Sequence, residues 1–230
     1  MKFDIKGFQA ELKEKLLDMG ADLVGFSKLK TPPIPTNESL IYAVTVAVKL
    51  PDAVLQTITD RPTISYFHEY RSANALLDSI TFRCARLLEK AGYNGYPIAA
   101  SQSTADDKDS YKAVFSHKTA GRLSGLGFIG KSGLFVSKEY GSKIRLATIL
   151  TDMPVEAEYP VIENGCGTCD KCVKNCPAGA ISGIIFKEGM NRDEFFSADK
   201  CSKQMKKFND VGRGSVCGIC IKSCPYNKLS

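Results

Sequence analysis

The residues with the clearest chemistry are the cysteines. Of nine in a 230-residue chain, eight lie beyond residue 165. The first four stand as Cys166-x2-Cys169-x2-Cys172-x3-Cys176-Pro177. In that run three thiolates hold one iron–sulfur cluster and the fourth reaches across to a second. A crossing ligand demands a second half-motif, and Cys217-x2-Cys220-x3-Cys224-Pro225 supplies it. Its leading cysteine is missing from the usual spacing, but Cys201 lies a short loop upstream and fills the gap. The spacing therefore assigns Cys166, Cys169, Cys172 and Cys224 to one [4Fe–4S] cluster, and Cys176, Cys201, Cys217 and Cys220 to the other.

Other cysteine chemistry fits less well. Zinc sites use four ligands in two C-x2-C pairs and have no use for a C-x3-C-P step. Disulfides belong to oxidising compartments, whereas this sequence opens with no charged-then-apolar leader, so a cytoplasmic protein is expected. The ninth cysteine, Cys84, sits among apolar residues in a helical pattern and reads as a buried structural thiol.

These cysteines need elements to position them. The length suits one substantial core with a small appended module. With 43% hydrophobic and 24% charged residues the composition is that of an ordinary globular protein. The longest apolar stretch, Leu40–Leu50, is too short for a bilayer and reads as a buried strand, so no membrane partner is expected. Net charge is +6, and residues 159–230 carry eleven Lys and Arg against seven Asp and Glu. An oxidised four-iron cube with four thiolates carries about −2, so two cubes roughly cancel that excess. The basic side chains are thus as well explained by anionic clusters as by nucleic acid.

The pattern predicts a first helix capped by Asp4, with Ile5, Phe8, Leu12 and Leu16 on one face and Gly20 as its stop. Strands are expected at 21–26, 40–48 and 96–100, and a long helix from about Ser65 to Lys90, closing at Gly92. Residues 101–116, with Asp106, Asp107 and Asp109, read as a loop. A short helix should follow from His117, then a glycine-dense turn into a strand. A β-hairpin is expected between 134–136 and 143–151 around the turn 138–142. The proline-bearing segment 153–163 is the natural linker. It divides an α/β cofactor-binding domain, residues 1–158, from a double-cluster ferredoxin-like domain, residues 159–230. Residues 184–200 are an insertion relative to a compact two-cluster ferredoxin.

The turn Gly125-Leu-Gly127-Phe-Ile-Gly130-Lys131-Ser132 literally satisfies G-x-x-x-x-G-K-[ST], the phosphate loop. A phosphate loop follows a buried strand and opens a helix. Here a helix precedes the turn and a strand follows it, so the topology argues against phosphate.

The runs SHKTAGRLSGLGFIGKSGLFV, CGTCDKCVKNCPAGAI and CGICIKSCPYNK together resemble epoxyqueuosine reductase, which is grouped with the cobalamin-dependent reductive dehalogenases. Their order and approximate spacing match over nearly the whole chain. The resemblance implies an α+β fold, a nitroreductase-like cobalamin-binding core with a C-terminal two-cluster ferredoxin-like module. It also implies a corrinoid between the two parts, electrons arriving from an external low-potential donor through the clusters, and a small-molecule substrate. By position, Gly125, Gly127, Gly130, Lys131 and Ser132 would border the corrinoid, with His117 approaching it. His68, in SYFHEY, reads as structural.

Two departures separate the sequence from that family. The queuosine enzyme has an aspartate proton donor about fourteen residues before the first glycine of the turn; counting here lands on Tyr111, with Lys112 beside it. The dehalogenases use a tyrosine for the equivalent task, so Tyr111 is the candidate general acid, the alternative being a loop aromatic and a slipped count. The queuosine enzyme also continues into helical repeats that grip tRNA, whereas this sequence stops at Ser230, so no tRNA platform is expected. Three functions remain open. The first is a corrinoid-dependent reductase, the second an electron-transfer protein that reduces a partner or its corrinoid, and the third a short epoxyqueuosine reductase acting on tRNA.

Overall fold

The computed structural model describes residues 4–101, 111, 113–155 and 160–228. In chain order the N-terminal elements are α1 (Ile5–Asp18), β1 (Leu23–Lys28), β2 (Tyr42–Lys49), α2 (Asp52–Gln56), α3 (Ile64–Lys90) and β3 (Gly95–Ile98). Then come α4 (His117–Leu123), β4 (Gly127–Ile129), β5 (Phe135–Ser137) and β6 (Ile144–Thr151). The cysteine-rich part contributes four short helices, α5 (Lys171–Lys174), α6 (Arg192–Phe195), α7 (Ala198–Lys206) and α8 (Ile219–Lys222).

The fold is mixed α/β. One antiparallel sheet runs in the order β1-β2-β6-β3, and a separate hairpin pairs β4 with β5. Side chains alternate across a strand, and both faces of this sheet are covered. Val44, Val46 and Val48 of β2, with Ala147 and Ile149 of β6, pack against Leu12 and Leu16 of α1 and Leu77, Ile80 and Leu88 of α3. The opposite face presents Ala43, Ala47, Leu146 and Leu150 toward α4 and the hairpin. Each fully buried Leu, Ile or Val removes enough apolar surface to stabilise by about 1.5–3 kcal/mol.

The helix ends follow their sequence signals. Asp4 accepts the Gly7 N–H at 2.9 Å and caps α1, whose chain turns away at Gly20 with φ of 102°. Thr63 accepts the Tyr66 N–H and opens α3, and Cys84 lies fully buried on its core face. Burial pushes the Cys84 thiol up to about 12, which keeps it protonated and inert.

One expected pairing is corrected. The 138–142 turn does not join β5 to β6 as a hairpin. β5 instead pairs back with β4 across the glycine-dense turn, Phe128 opposite Val136, while β6 runs between β2 and β3. β6 carries eight residues of the central sheet and must match β2 along its length, which a three-residue strand cannot do. The helix α2 was not signalled by the periodicity. Asp106, Asp107, Asp109 and Lys112 lie outside the described residues.

The cysteine-rich part is not a bead on a string. Val211, Val216, Ile219 and Ile221 join the same core as Leu55, Ile58 and Tyr66. The closing motif ties it down further. Asn227 is 1% exposed, accepts the Ser142 N–H at 2.8 Å and hydroxyl at 3.1 Å, and donates to the Ile221 carbonyl at 2.6 Å. Tyr226 donates to the Gly165 carbonyl at 2.8 Å and meets Phe128 edge-on.

Candidate functional site

Cys166, Cys169, Cys172 and Cys224 line one small cavity, together with Gly130, Lys131, Ser132, Val136, Pro225 and Tyr226. Burial, then the facing thiolates of Cys166, Cys224 and Cys169, pushes Cys172 up to about 11. The other four form a second group. Burial, then Cys217 and Cys176, pushes Cys201 up to about 11. Cys220 is raised further, by burial first and then by Cys217, Cys201, Cys176 and finally Cys172 of the first group. The two groups therefore adjoin. Thiols this far from ionisation stay inert unless a cation sits among them, and thiolate-gathering iron is such a cation. Among the described residues no three His, Cys, Asp or Glu side chains are drawn in as ligands of a single ion.

The glycine-dense turn serves this cysteine cavity. Lys131 is buried, and its ammonium donates to the Gly167 carbonyl at 2.7 Å and the Cys169 carbonyl at 3.0 Å, pinning the loop that carries the first cysteines. A methyl group on Gly130 would lie 3.5 Å from the Cys166 sulfur. Gly125 ends α4: its N–H meets the Arg122 carbonyl and the Leu126 N–H meets the Gly121 carbonyl, with φ of 69° at the glycine. Gly127 lies against β5, where an added Cβ would come within 2.1 Å of the Val136 carbonyl oxygen. Of the five residues expected to border a corrinoid, Gly130, Lys131 and Ser132 lie at the cysteines, and Gly125 and Gly127 lie where α4 meets β4 and β5. Sequence position alone does not tell which face of a hairpin a turn presents.

The opposite face of the same hairpin, through Ile129, Gly133, Leu134 and Phe135, walls a much larger cavity of about 790 Å³. That volume is within the range of cofactor and small-molecule sites. α4 forms one side, Ala100, Tyr111, Ala113 and Phe115 another, and Phe186, Met190 and Phe195 of the 184–200 insertion close over it. Ion pairs from Glu188 to Lys30 and Arg122 fasten that insertion across the mouth.

Tyr111 and His117 both line the large cavity. Tyr111 has a left-handed backbone, φ of 48°, and its carbonyl accepts a 2.9 Å hydrogen bond from Arg192 of α6. Such a conformation is uncommon for a non-glycine residue and persists where neighbours fix it. His117 uses both ring nitrogens on protein partners, Nε2 donating to the Ala99 carbonyl at 3.0 Å and Nδ1 accepting the Thr148 hydroxyl at 3.0 Å. Burial, reinforced by the nearby charge of Arg145, pushes it down to about 4, so the ring is neutral. It has no nitrogen left to ligate a metal. His68 lies on the exposed side of α3 against Phe67, away from the cavity.

Sequence reasoning missed the cations of this cavity. Lys118, Arg122, Arg145 and Arg192 all line it. They come from α4, β6 and α6, and only the fold gathers them. Lys118 was already visible as the second residue of the HKTA run, but nothing there marked it as inward-facing.

Residues 165–227 match the family described as 4Fe-4S double cluster binding domain. In sequence the chain is 38% identical over 117 residues to an epoxyqueuosine reductase of Lactococcus garvieae, covering 46% of this chain and 30% of that protein. It is 30% identical over 116 residues to the tetrachloroethene reductive dehalogenase of Sulfurospirillum multivorans, covering 46% and 22%. The chain thus spans less than a third of the length of these relatives. Among solved structures it superposes with a TM-score of 0.74 on a catabolic reductive dehalogenase in complex with 3-bromo-4-hydroxybenzoic acid, at 21% identity, covering 94% of this chain and 31% of the other. It superposes with a TM-score of 0.65 on epoxyqueuosine reductase bearing an epoxyqueuosine-modified tRNA-Tyr stem loop, at 21% identity, covering 98% and 66%. No helix among the described residues is long and apolar enough to cross a membrane. The chain is therefore a relative of the epoxyqueuosine reductases and reductive dehalogenases that carries a double four-iron cluster binding region at residues 165–227.

Proposed function

We propose that this chain is a corrinoid-dependent reductase in which two [4Fe–4S] clusters deliver electrons to a cobalamin held in the 790 Å³ cavity. The observation that carries the reading is the β4–β5 hairpin with a cavity on each face, four cysteines on one side and the large chamber on the other. Residues 1–158 are on this reading a nitroreductase-like cobalamin-binding domain, and 159–230 the ferredoxin-like module. Cys166, Cys169, Cys172 and Cys224 hold one cluster; Cys176, Cys201, Cys217 and Cys220 hold the other. An external low-potential donor reduces them.

When bound, cobalamin supplies a two-electron reducing centre, and the remaining tasks fall to the chain's own residues. Gly133, Leu134 and Phe135 give it an apolar wall. His117, neutral and tied at both nitrogens, acts as a fixed part of the cavity wall. Tyr111, held by Arg192 at its carbonyl, is the proton donor at its phenol oxygen. The insertion excludes water from the chamber.

Anaerobically purified protein should contain about eight iron and eight acid-labile sulfide per chain. Titration with cob(II)alamin should give a saturable spectral change. Zinc in place of iron would overturn the cluster assignment. Clusters without any cobalamin binding would leave an electron-transfer protein. A second reading, a short epoxyqueuosine reductase, draws on the relatives' names and the solved tRNA stem-loop complex. Saturable binding of that stem loop would favour it.

A further inference from the structure

The large cavity has an unusual charge balance. Lys30, Lys118, Arg122, Arg145 and Arg192 line it, with Glu188 the one carboxylate among the described lining residues, and Arg192 is paired with Asp193 beside it. Glu188 is already engaged at the mouth by Lys30 and Arg122. Deeper in, Lys118 meets the Gly133 carbonyl at 2.7 Å, and Arg145 meets Asn74, Tyr70 and the Ala100 carbonyl. All of these partners are neutral. Among the described residues neither cation has a carboxylate partner within ion-pair distance.

Placing cations together in a half-buried chamber is unfavourable unless something negative joins them. Burial, and then the nearby charge of Arg192, push Lys118 down to about 8. Arg145 and Lys118 both act on His117, with the Asp78 carboxylate, held by the Ala100 N–H at 2.8 Å, acting against them. The rest of the wall is apolar and aromatic, through Phe115, Phe135, Phe186 and Phe195.

We infer that the cavity is built for a ligand with an anionic group, a carboxylate or a phosphate, seated at Lys118 with Arg145 and Arg192 supplying the surrounding field. Its apolar body lies against the phenylalanines. The inference deepens the reductase reading, because the anion has two sources: the phosphodiester of the corrinoid's own nucleotide tail, or a carboxylate on the substrate.

Two measurements on the cluster-loaded protein separate them. Benzoate and its neutral isostere benzamide are titrated by calorimetry in the absence of corrinoid. Separately, cobalamin is compared with cobinamide, which lacks the nucleotide phosphodiester. If the cations serve the substrate, benzoate binds and benzamide does not. Lys118→Met should then weaken benzoate by about tenfold or more, the scale of one charge-assisted hydrogen bond. Lys118→Arg should largely retain it. If they serve the cofactor, the preference for cobalamin over cobinamide should collapse in Lys118→Met. Benzoate binding without any corrinoid binding would keep this inference and remove the reductase reading. If benzoate does not discriminate from benzamide and the corrinoid preference survives Lys118→Met, the inference is overturned.

Discussion

At the scale of single residues, the large cavity joins a strained tyrosine to a neutral histidine. A phenol free in water has a pKa near 10 and is a poor acid at neutral pH, so Tyr111 depends on its surroundings to act. Tyr111→Phe keeps the ring and deletes the proton. On the reductase reading, turnover with a chemical reductant should fall roughly a hundredfold while iron content stays the same. Undiminished turnover would remove Tyr111 from the mechanism. His117 makes a different prediction. Its folded pKa, about 4, lies below the unfolded value of 6.5, so the unfolded chain gains a proton first as pH falls. Above pH 6.5 it costs nothing; between 6.5 and about 4 the native state progressively loses about 3 kcal/mol. Thermal midpoints should therefore drop from pH 7 to 5.5, and by less in His117→Gln, whose side chain does not titrate. Equal drops in both proteins would show that another group controls the acid limb.

At the scale of elements, the sequence was most legible where periodicity is long. The α1 register, the span of α3 and the buried character of β2 follow from repeats of ten residues or more, and the structure reproduces them with small shifts at the ends. The β4–β5 hairpin was not legible, because two three-residue strands flanked by glycine carry no period to read. Turn chemistry at 138–142 pointed to the wrong partner, since β6 finds a better match in β2 and β3. Gly127→Ala should drive a methyl group into the Val136 carbonyl and destabilise by about 1–3 kcal/mol, a loss of several degrees in Tm. Iron retention should suffer with it, because β4 and β5 wall the cysteine cavity. An unchanged Tm would mean that the strands separate at little cost. The cations of the large chamber were illegible for another reason: Lys118, Arg145 and Arg192 are far apart in sequence, and only the tertiary fold brings them to one cavity.

At the scale of the whole molecule, the cysteine-rich part and the α/β part share one core, and that makes cluster loading a property of the entire chain. Ile219 and Ile221 flank Cys220 on α8, yet they pack into the core that also holds Leu77 and Ile80 of α3. A ligand that binds only the native state stabilises everything cooperative with its site. Removing iron should therefore lower the unfolding temperature of the α/β part as well as of the cysteine loops. Asn227 offers a control that leaves every cysteine in place. Asn227→Ala would orphan the buried Ser142 N–H and remove a partner from the Ile221 carbonyl, and each buried polar group left unsatisfied costs about 1–3 kcal/mol. The variant should lose iron faster than the parent on dilution into chelator. Its far-ultraviolet and cluster-absorbance melts should still coincide, because both report one cooperative unit. Separate transitions, with α3 melting at an unchanged temperature after the iron is gone, would show that the shared core couples the two parts only weakly.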